Sequence, residues 1–161
     1  MKKLTIKGKT YKLPQYLPDA TRGYVKSVDT HDVIGAKIDG MMVNTYHLIE
    51  NPGLEVIENA GGIKKFMNFD GLISSDSGGW QMFSLIHRNS KAGKITDEGV
   101  VFKIGDGKKG LVTPEDVIRA QFKLGSDIII CLDDFSPPDA NIPRLKESVE
   151  RTVKWAKRSK I

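Results

Sequence analysis

Cysteine is nearly missing from this 161-residue chain: Cys131 is the only one. A single thiol builds no internal disulfide and no Cys-rich metal site. Long apolar runs are missing as well. No stretch approaches the roughly 20 consecutive apolar residues of a membrane-spanning helix. The basic start, Met1-Lys2-Lys3-Leu4-Thr5-Ile6, lacks the apolar segment of a secretion signal. There is no Pro/Gly/Ser-rich linker, low-complexity tract or internal repeat, so nothing divides the chain. The histidines, His31, His47 and His87, are scattered, and no His/Cys/Asp cluster has the spacing of metal ligands. These absences predict a cytoplasmic, single-domain protein with no membrane partner, no metal and no disulfide.

What is present fits a globular domain: 39% hydrophobic and 28% charged residues. The length suffices for one real core but falls short of the roughly 250 residues of a complete α/β barrel. The net charge of +5 is concentrated at one end. Arg144 to Lys160 holds seven basic residues against two acidic ones, Glu147 and Glu150, and so carries the whole excess. Such a segment is either a solvated helix exterior or a face that tracks phosphates.

Along the chain, apolar strands alternate with polar turns and amphipathic helices. Gly40-Met41-Met42-Val43 reads as a buried strand. Asn51 reads as an N-cap and Pro52 as a first helical position, with Leu54, Ile57 and Glu58 continuing to a Gly61-Gly62 stop. Gly71-Leu72-Ile73-Ser74 is the next strand. Thr113-Pro114-Glu115-Asp116 opens a helix that packs through Val117, Ala120, Gln121 and Leu124 and stops at Gly125. Ile128 to Leu132 is apolar on both faces, as a strand covered on both sides should be. A last helix begins near Pro143, with Leu145, Val149, Thr152, Val153 and Ala156 spaced as a buried stripe. Ser84 to Gly110 reads as a long excursion with one strand at Gly99–Lys103. Met41, Met42, Met67 and Met82 read as core filling, and Cys131 as an inert packed thiol. Strand–helix alternation predicts a parallel sheet, open or closed into a barrel.

Parallel α/β folds bind ligands at the carboxyl ends of their strands. Three predicted strands deliver polar groups there: Asn44-Thr45-Tyr46-His47, Asp76-Ser77-Gly78-Gly79-Trp80-Gln81, and Asp133-Asp134. Paired glycines let a ligand approach the main chain, and their N–H groups suit an oxyanion or a base carbonyl. A carboxylate on a semi-enclosed rim serves as general acid or base. Trp80 suits stacking on a planar base. Asp133 suits the adjacent ring N–H and exocyclic amine of guanine, which a carboxylate accepts bidentately. The plainer alternatives stay open at this stage: a tight turn at Asp76–Gly79, a helix-side cap with a solvated neighbour at Asp133-Asp134, a metal at Asp134, and a structural His47 rather than one that orients Asn44 or Thr45.

These same segments resemble the queuine/preQ1 tRNA-guanine transglycosylases. The resemblance runs through Asn44-Thr45-Tyr46-His47-Leu48 with Pro52-Gly53, Gly61 to Met67, Ser75 to Leu85, Gly99-Val100-Val101-Phe102, Thr113-Pro114-Glu115, Gly125-Ser126-Asp127-Ile128 leading to Asp133, and Ser148 to Ala156. It spans about Leu13 to Ser159. It implies an α/β fold, the N-terminal half of an incomplete (β/α)8 TIM-type barrel with about four β/α units. On this reading, residues 1–161 are the N-terminal part of the family domain, with the C-terminal barrel half and zinc subdomain absent. The implied chemistry exchanges guanine in tRNA for a 7-deazaguanine. Asp76 matches the general acid/base, and Asp133 the group that binds the base edge, helped by Ser77, Gly78, Gly79 and Gln81. Trp80 stands where an aromatic stacks on the base, and Asn44 and Thr45 hold Asp76. The family's nucleophilic aspartate and its zinc site lie further along than this sequence reaches, so no cofactor is expected in this chain. Two departures stand out: Phe135 where bacterial members often carry cysteine, and Leu17-Pro18-Asp19-Ala20-Thr21 in place of an apolar run.

Two functions follow. The first is one piece of a split exchange enzyme, partnered by tRNA, guanine or a 7-deazaguanine, and a second chain completing the barrel or a homo-oligomer. The second is a non-catalytic tRNA- or base-binding fragment or regulatory subunit without the nucleophile. A truncated product without function and an unrelated small α/β enzyme are the remaining readings.

Overall fold

The fold is organised around two adjacent, largely buried parallel strands that end in Asn44 and Asp76. The computed structural model describes residues 2–102 and 110–160. An N-terminal hairpin, β1 (Lys3–Ile6) and β2 (Lys9–Lys12), precedes helix α1 (Thr30–Gly35). Next come β3 (Gly40–Asn44), the short helices α2 (Thr45–Glu50), α3 (Leu54–Asn59) and α4 (Ile63–Met67), and β4 (Leu72–Asp76). Helix α5 (Gly79–Arg88) leads into β5 (Gly93–Ile95), β6 (Val100–Phe102) and β7 (Gly110–Val112). Helix α6 (Pro114–Leu124), β8 (Ile128–Ile129) and α7 (Ile142–Arg158) complete the order.

The parallel sheet has the order β3-β4-β8. Its register pairs Gly40 with Leu72 and, four residues on, Asn44 with Asp76. The outer side of β3 is taken by residues 18–21: Met42 N–H donates to the Pro18 carbonyl, and Ala20 and Asn44 N–H groups close the segment against the strand. The expected alternation and parallel sheet are present, but no closed barrel forms among the described residues. The long excursion is a separate antiparallel sheet, β5-β6-β7, preceded by a ten-residue helix that runs to Arg88. Of the expected strand Gly99–Lys103, Val100–Phe102 is strand, and Lys103 lies outside the described residues.

Two apolar clusters hold these layers. One gathers Val33, Val43, Leu48, Ile57, Ile63, Phe69 and Leu124 around the first face of β3 and β4. The other gathers Met82, Phe83, Val100, Phe102, Leu132 and Trp155 under α5 and α7. Helix α6 follows its sequence signals closely. Thr113 and Asp116 form a reciprocal capping box, Pro114 opens the helix, and Gly125 at φ +77° ends it. Gln121 is more than a packing residue. Fully buried, it accepts from Ser75 Oγ and Ile130 N–H and donates to the Ile130 carbonyl, stapling β4 to the chain beyond β8.

Three local expectations are corrected. Asn51 ends α2 rather than capping the next helix, which starts after Gly53, whose φ of +100° only glycine adopts easily. The run Ile128–Leu132 is strand only at Ile128–Ile129, and Ile130 is 38% exposed. β8 has one neighbour among the described residues, so the ladder that would extend it is missing. Cys131 accordingly sits half-buried past the strand's end, where burial still pushes its thiol pKa up.

The largest correction concerns α7. Leu145, Val149 and Val153 do not form a buried stripe; they are 44%, 63% and 48% exposed, and Ile142 on the same side is 68% exposed. The helix instead buries Ser148, Arg151 and Trp155. Polar anchoring decides this orientation. Trp155, with no exposure, donates through Nε1 to the Asp97 carbonyl. Arg144, Arg151 and Arg158, seven residues apart, pair with Asp134, with Glu147 and Asp97, and with Glu115. The arginines of the basic segment are therefore engaged in ion pairs rather than lying free along a phosphate track.

Candidate active site

The register that pairs Asn44 with Asp76 sets the two side chains side by side at the carboxyl end of the sheet. Asn44 Nδ2 donates to Asp76 Oδ2 at 2.7 Å, while Asn44 Oδ1 caps α2 by accepting from His47 N–H at 3.0 Å. The cap fixes which way the amide faces, since its oxygen is engaged and its nitrogen is left for the carboxylate. His47 contributes its main chain here; its ring stacks edge-on against Tyr46. Thr45 N–H and Gly78 N–H both donate to Asp76 Oδ1, at 3.2 and 2.9 Å, and the Thr45 hydroxyl donates to the Asp76 carbonyl.

Asp76 is thus held by three donors yet mostly removed from water. Burial pushes its pKa above the usual carboxylate range; the Thr45, Gly78 and Asn44 hydrogen bonds oppose that shift, and the nearby negative charge of Asp19 adds to it. Asp133 shows the same direction. Burial raises its pKa, the Ser77 hydroxyl lowers it by donating at 3.1 Å, and the adjacent Asp134 raises it. Two carboxyl groups tuned upward, Asp76 held by three donors and Asp133 by the Ser77 hydroxyl, are equipped for proton transfer and for accepting ligand donors respectively.

Segment 76–81 wraps a cavity of about 170 Å³ together with Ile130, Asp133 and Phe135. The turn needs glycine at 78 and is tight at 79. Gly78 has φ +70°, and a Cβ there would lie 2.5 Å from Tyr46 Cβ. A Cβ on Gly79 would lie 3.0 Å from Asp133 Oδ1 and 3.1 Å from Ser77 Oγ. Gly78→Ala is therefore expected to cost ~2 kcal/mol or more of stability, from positive-φ strain plus the clash, visible as a lowered denaturation midpoint. Trp80, in the first turn of α5, is 56% exposed, with its ring centroid 5.2 Å from that of Phe135. Gln81 brings a buried Oε1 acceptor with no partner among the described residues, an arrangement that a ligand N–H would satisfy.

All nine residues singled out from the sequence meet in one place. Asp76, Ser77, Gly78, Gly79, Trp80, Gln81 and Asp133 line the cavity, while Asn44 and Thr45 stand behind Asp76. Larger grooves exist elsewhere, including one of about 340 Å³ by Asp19, Thr21, Arg22, Tyr24 and Lys26, but none of these is lined by two carboxyl groups of raised pKa. Sequence reasoning missed the setting of Asp134. It is neither a solvated neighbour nor a metal ligand, but a buried carboxylate gripped by Arg144 and Arg151. Arginines ten and seventeen residues beyond a buried-strand acid were the available signal. No three His, Cys, Asp or Glu side chains gather to hold a metal among the described residues, so these residues do not fit the zinc of the resembling family. No described helix is long and apolar enough to cross a membrane.

The sequence model of the queuine tRNA-ribosyltransferase family matches residues 1–161. The chain is 46% identical over 150 residues to a queuine tRNA-ribosyltransferase of Caldanaerobacter subterraneus subsp. tengcongensis, covering 91% of this chain and 38% of that protein. It is 45% identical over 150 residues to the one of Thermoanaerobacter pseudethanolicus, with the same coverage. With the Staphylococcus aureus protein it shares 43% over 152 residues, 92% of this chain and 38% of the relative. The chain therefore spans about 38% of the length of these curated relatives.

Proposed function

We propose, from the premise that this chain belongs to the queuine tRNA-ribosyltransferase family, that it carries the base-handling part of a site exchanging guanine in tRNA for a 7-deazaguanine. One observation carries the reading: Asn44-held Asp76 and Ser77-bonded Asp133 face one cavity at the carboxyl ends of neighbouring strands. In this reading residues 1–161 are the N-terminal part of an incomplete (β/α)8 barrel, working in the cytoplasm with no cofactor of its own.

The chemistry follows from the donors and acceptors. Asp133 accepts from the ring N–H and exocyclic amine of the base, and the free Oε1 of Gln81 takes a further donor. Trp80 supplies a stacking face. When the glycosidic bond breaks, its electron pair goes to the base nitrogen, which needs a proton. Asp76, whose pKa burial raises, is placed to hold that proton and deliver it. As the incoming 7-deazaguanine attacks the sugar carbon, the same carboxylate takes the proton from the incoming ring nitrogen. The carboxylate nucleophile that holds the sugar meanwhile is supplied by another polypeptide segment.

That segment needs a seat, and α7 offers one. Its outward side presents Ile142, Leu145, Val149 and Val153, all large, apolar and exposed. A continuous apolar helix side marks an interaction surface. Val149→Lys is expected to leave the melting temperature within about 2 °C, because the site is exposed. It should abolish association with the completing piece or a second copy, as read by sedimentation velocity.

The function itself is tested by incorporation of labelled guanine into tRNA, by the chain alone and with a polypeptide carrying the remaining family segment. Exchange in the second arm is the expected result. Base binding without exchange or covalent RNA adduct in either arm would reduce the chain to a binding module. No base binding at all would end the reading.

A further inference from the structure

We infer that Arg144 and Arg151 of α7 are positioning residues for base capture, acting through Asp134 to fix where Asp133 and Phe135 sit in the cavity. The inference rests on the base-exchange reading. Its geometry is that of three consecutive residues with alternating directions. Asp133 and Phe135 line the cavity, and Asp134 between them points the other way, into α7, with no exposed side-chain surface. Every polar group of Asp134 that faces α7 is held. Arg144 forks onto both carboxylate oxygens, Arg151 Nη1 donates to Oδ2, and Asp134 N–H donates to Thr152 Oγ1 at 2.9 Å. Arg144 also reaches the Phe135 carbonyl at 3.4 Å.

The clamp is itself anchored. Arg151 Nη2 donates to Glu147, and Arg151 Nε donates to Asp97 in the turn between β5 and β6. Trp155 and Arg158 bond main-chain carbonyls of the same turn. The position of Asp133 is therefore set on one side by Ser77 and on the other by a guanidinium pair tied to a second sheet. A loop following a two-residue strand has little hydrogen bonding of its own to hold a side chain to within a fraction of an ångström, and the arginines supply what is missing.

They also set charge. The titratable and charged groups around Asp133 are Asp76 across the cavity, Cys131 and Asp134 on its own segment, and Arg144 and Arg151 beyond Asp134. Asp134 bears negative charge one residue from Asp133, and the two guanidinium groups offset it. Removing one leaves that charge less compensated, so Asp133 ionises at higher pH and base binding fails sooner on acidification.

The test measures guanine affinity by equilibrium dialysis against pH, with the melting temperature alongside, for the unaltered chain and for Arg144→Gln, Arg144→Lys and Thr152→Val. Arg144, 23% exposed in its side chain, is chosen because its loss is the less disruptive. Arg144→Gln should weaken binding about tenfold at neutral pH and move the acid midpoint of binding upward, with Arg144→Lys recovering the midpoint but only part of the affinity, since it keeps the charge and loses the fork. Thr152→Val should weaken binding a few-fold, roughly, with the midpoint unmoved, because no charge is lost. Should Arg144→Gln not fold, the Lys and Val variants carry the same comparison. Variants whose affinity and acid midpoint match the unaltered chain, whatever their melting temperatures, overturn the inference and leave the base-exchange reading standing. An unaltered chain that binds neither guanine nor 7-deazaguanine overturns both.

Discussion

Asp133→Ala is expected to weaken guanine binding by about 100-fold or more, because it removes two charge-assisted hydrogen bonds worth roughly 1.5–3 kcal/mol each. The cavity around Asp133 would remain. Its neighbours Ser77 and Gly79 belong to the turn that leads into α5, and its own segment is held through Asp134 rather than through the side chain being removed. Equilibrium dialysis with labelled guanine at neutral pH reads the effect, and circular dichroism checks the fold. The pH dependence carries a sign. Asp133 must be ionised to accept both donors, and burial raises its pKa, so acidification should release the base at a higher pH than an ordinary, fully solvated aspartate would allow. Unchanged affinity in Asp133→Ala would remove Asp133 from the site.

Asp76→Asn is expected to act differently, leaving base affinity within a few-fold while lowering exchange into tRNA by about 10²–10⁴ in the completed enzyme, the usual range for losing a general acid/base. The asparagine keeps the shape and one acceptor for Thr45 and Gly78 N–H, and loses the transferable proton. The separation between affinity and turnover is the diagnostic feature. A variant that loses both together would make Asp76 a binding residue, and one that loses neither would leave the chemistry to another group.

The site was legible because its logic is local. Asn44, Asp76 and Asp133 each follow an apolar strand, and parallel strands bring such positions to one end whatever happens between them. Helix α6 was legible for the same reason: its cap, first-turn proline and terminal glycine are neighbours in sequence. The outward side of α7 was not. Counting apolar residues at helical spacing picks out Leu145, Val149 and Val153, yet the side that packs is chosen by partners far away in the chain. Asp97, Glu115 and Asp134 lie 10 to 61 residues from the arginines and lysine they engage. Periodicity cannot see such partners. The length of β8 was hidden likewise, since an apolar run reports burial but not how many neighbours a strand has. Asn51 misled because an Asn-Pro pair suits a helix start, while the φ of +100° at Gly53 postpones that start beyond it.

One margin of the parallel sheet is closed, because residues 18–21 occupy the far side of β3, and the other, at β8, is free among the described residues. Extension of the sheet is therefore one-directional, and it carries a symmetry constraint. Two identical copies joined edge to edge about a twofold axis must run their β8 strands in opposite senses, whereas continuation of a parallel sheet demands the same sense. Self-pairing through that margin and parallel continuation of the sheet are mutually exclusive states, so a dimer built there would compete with any parallel strand added at β8.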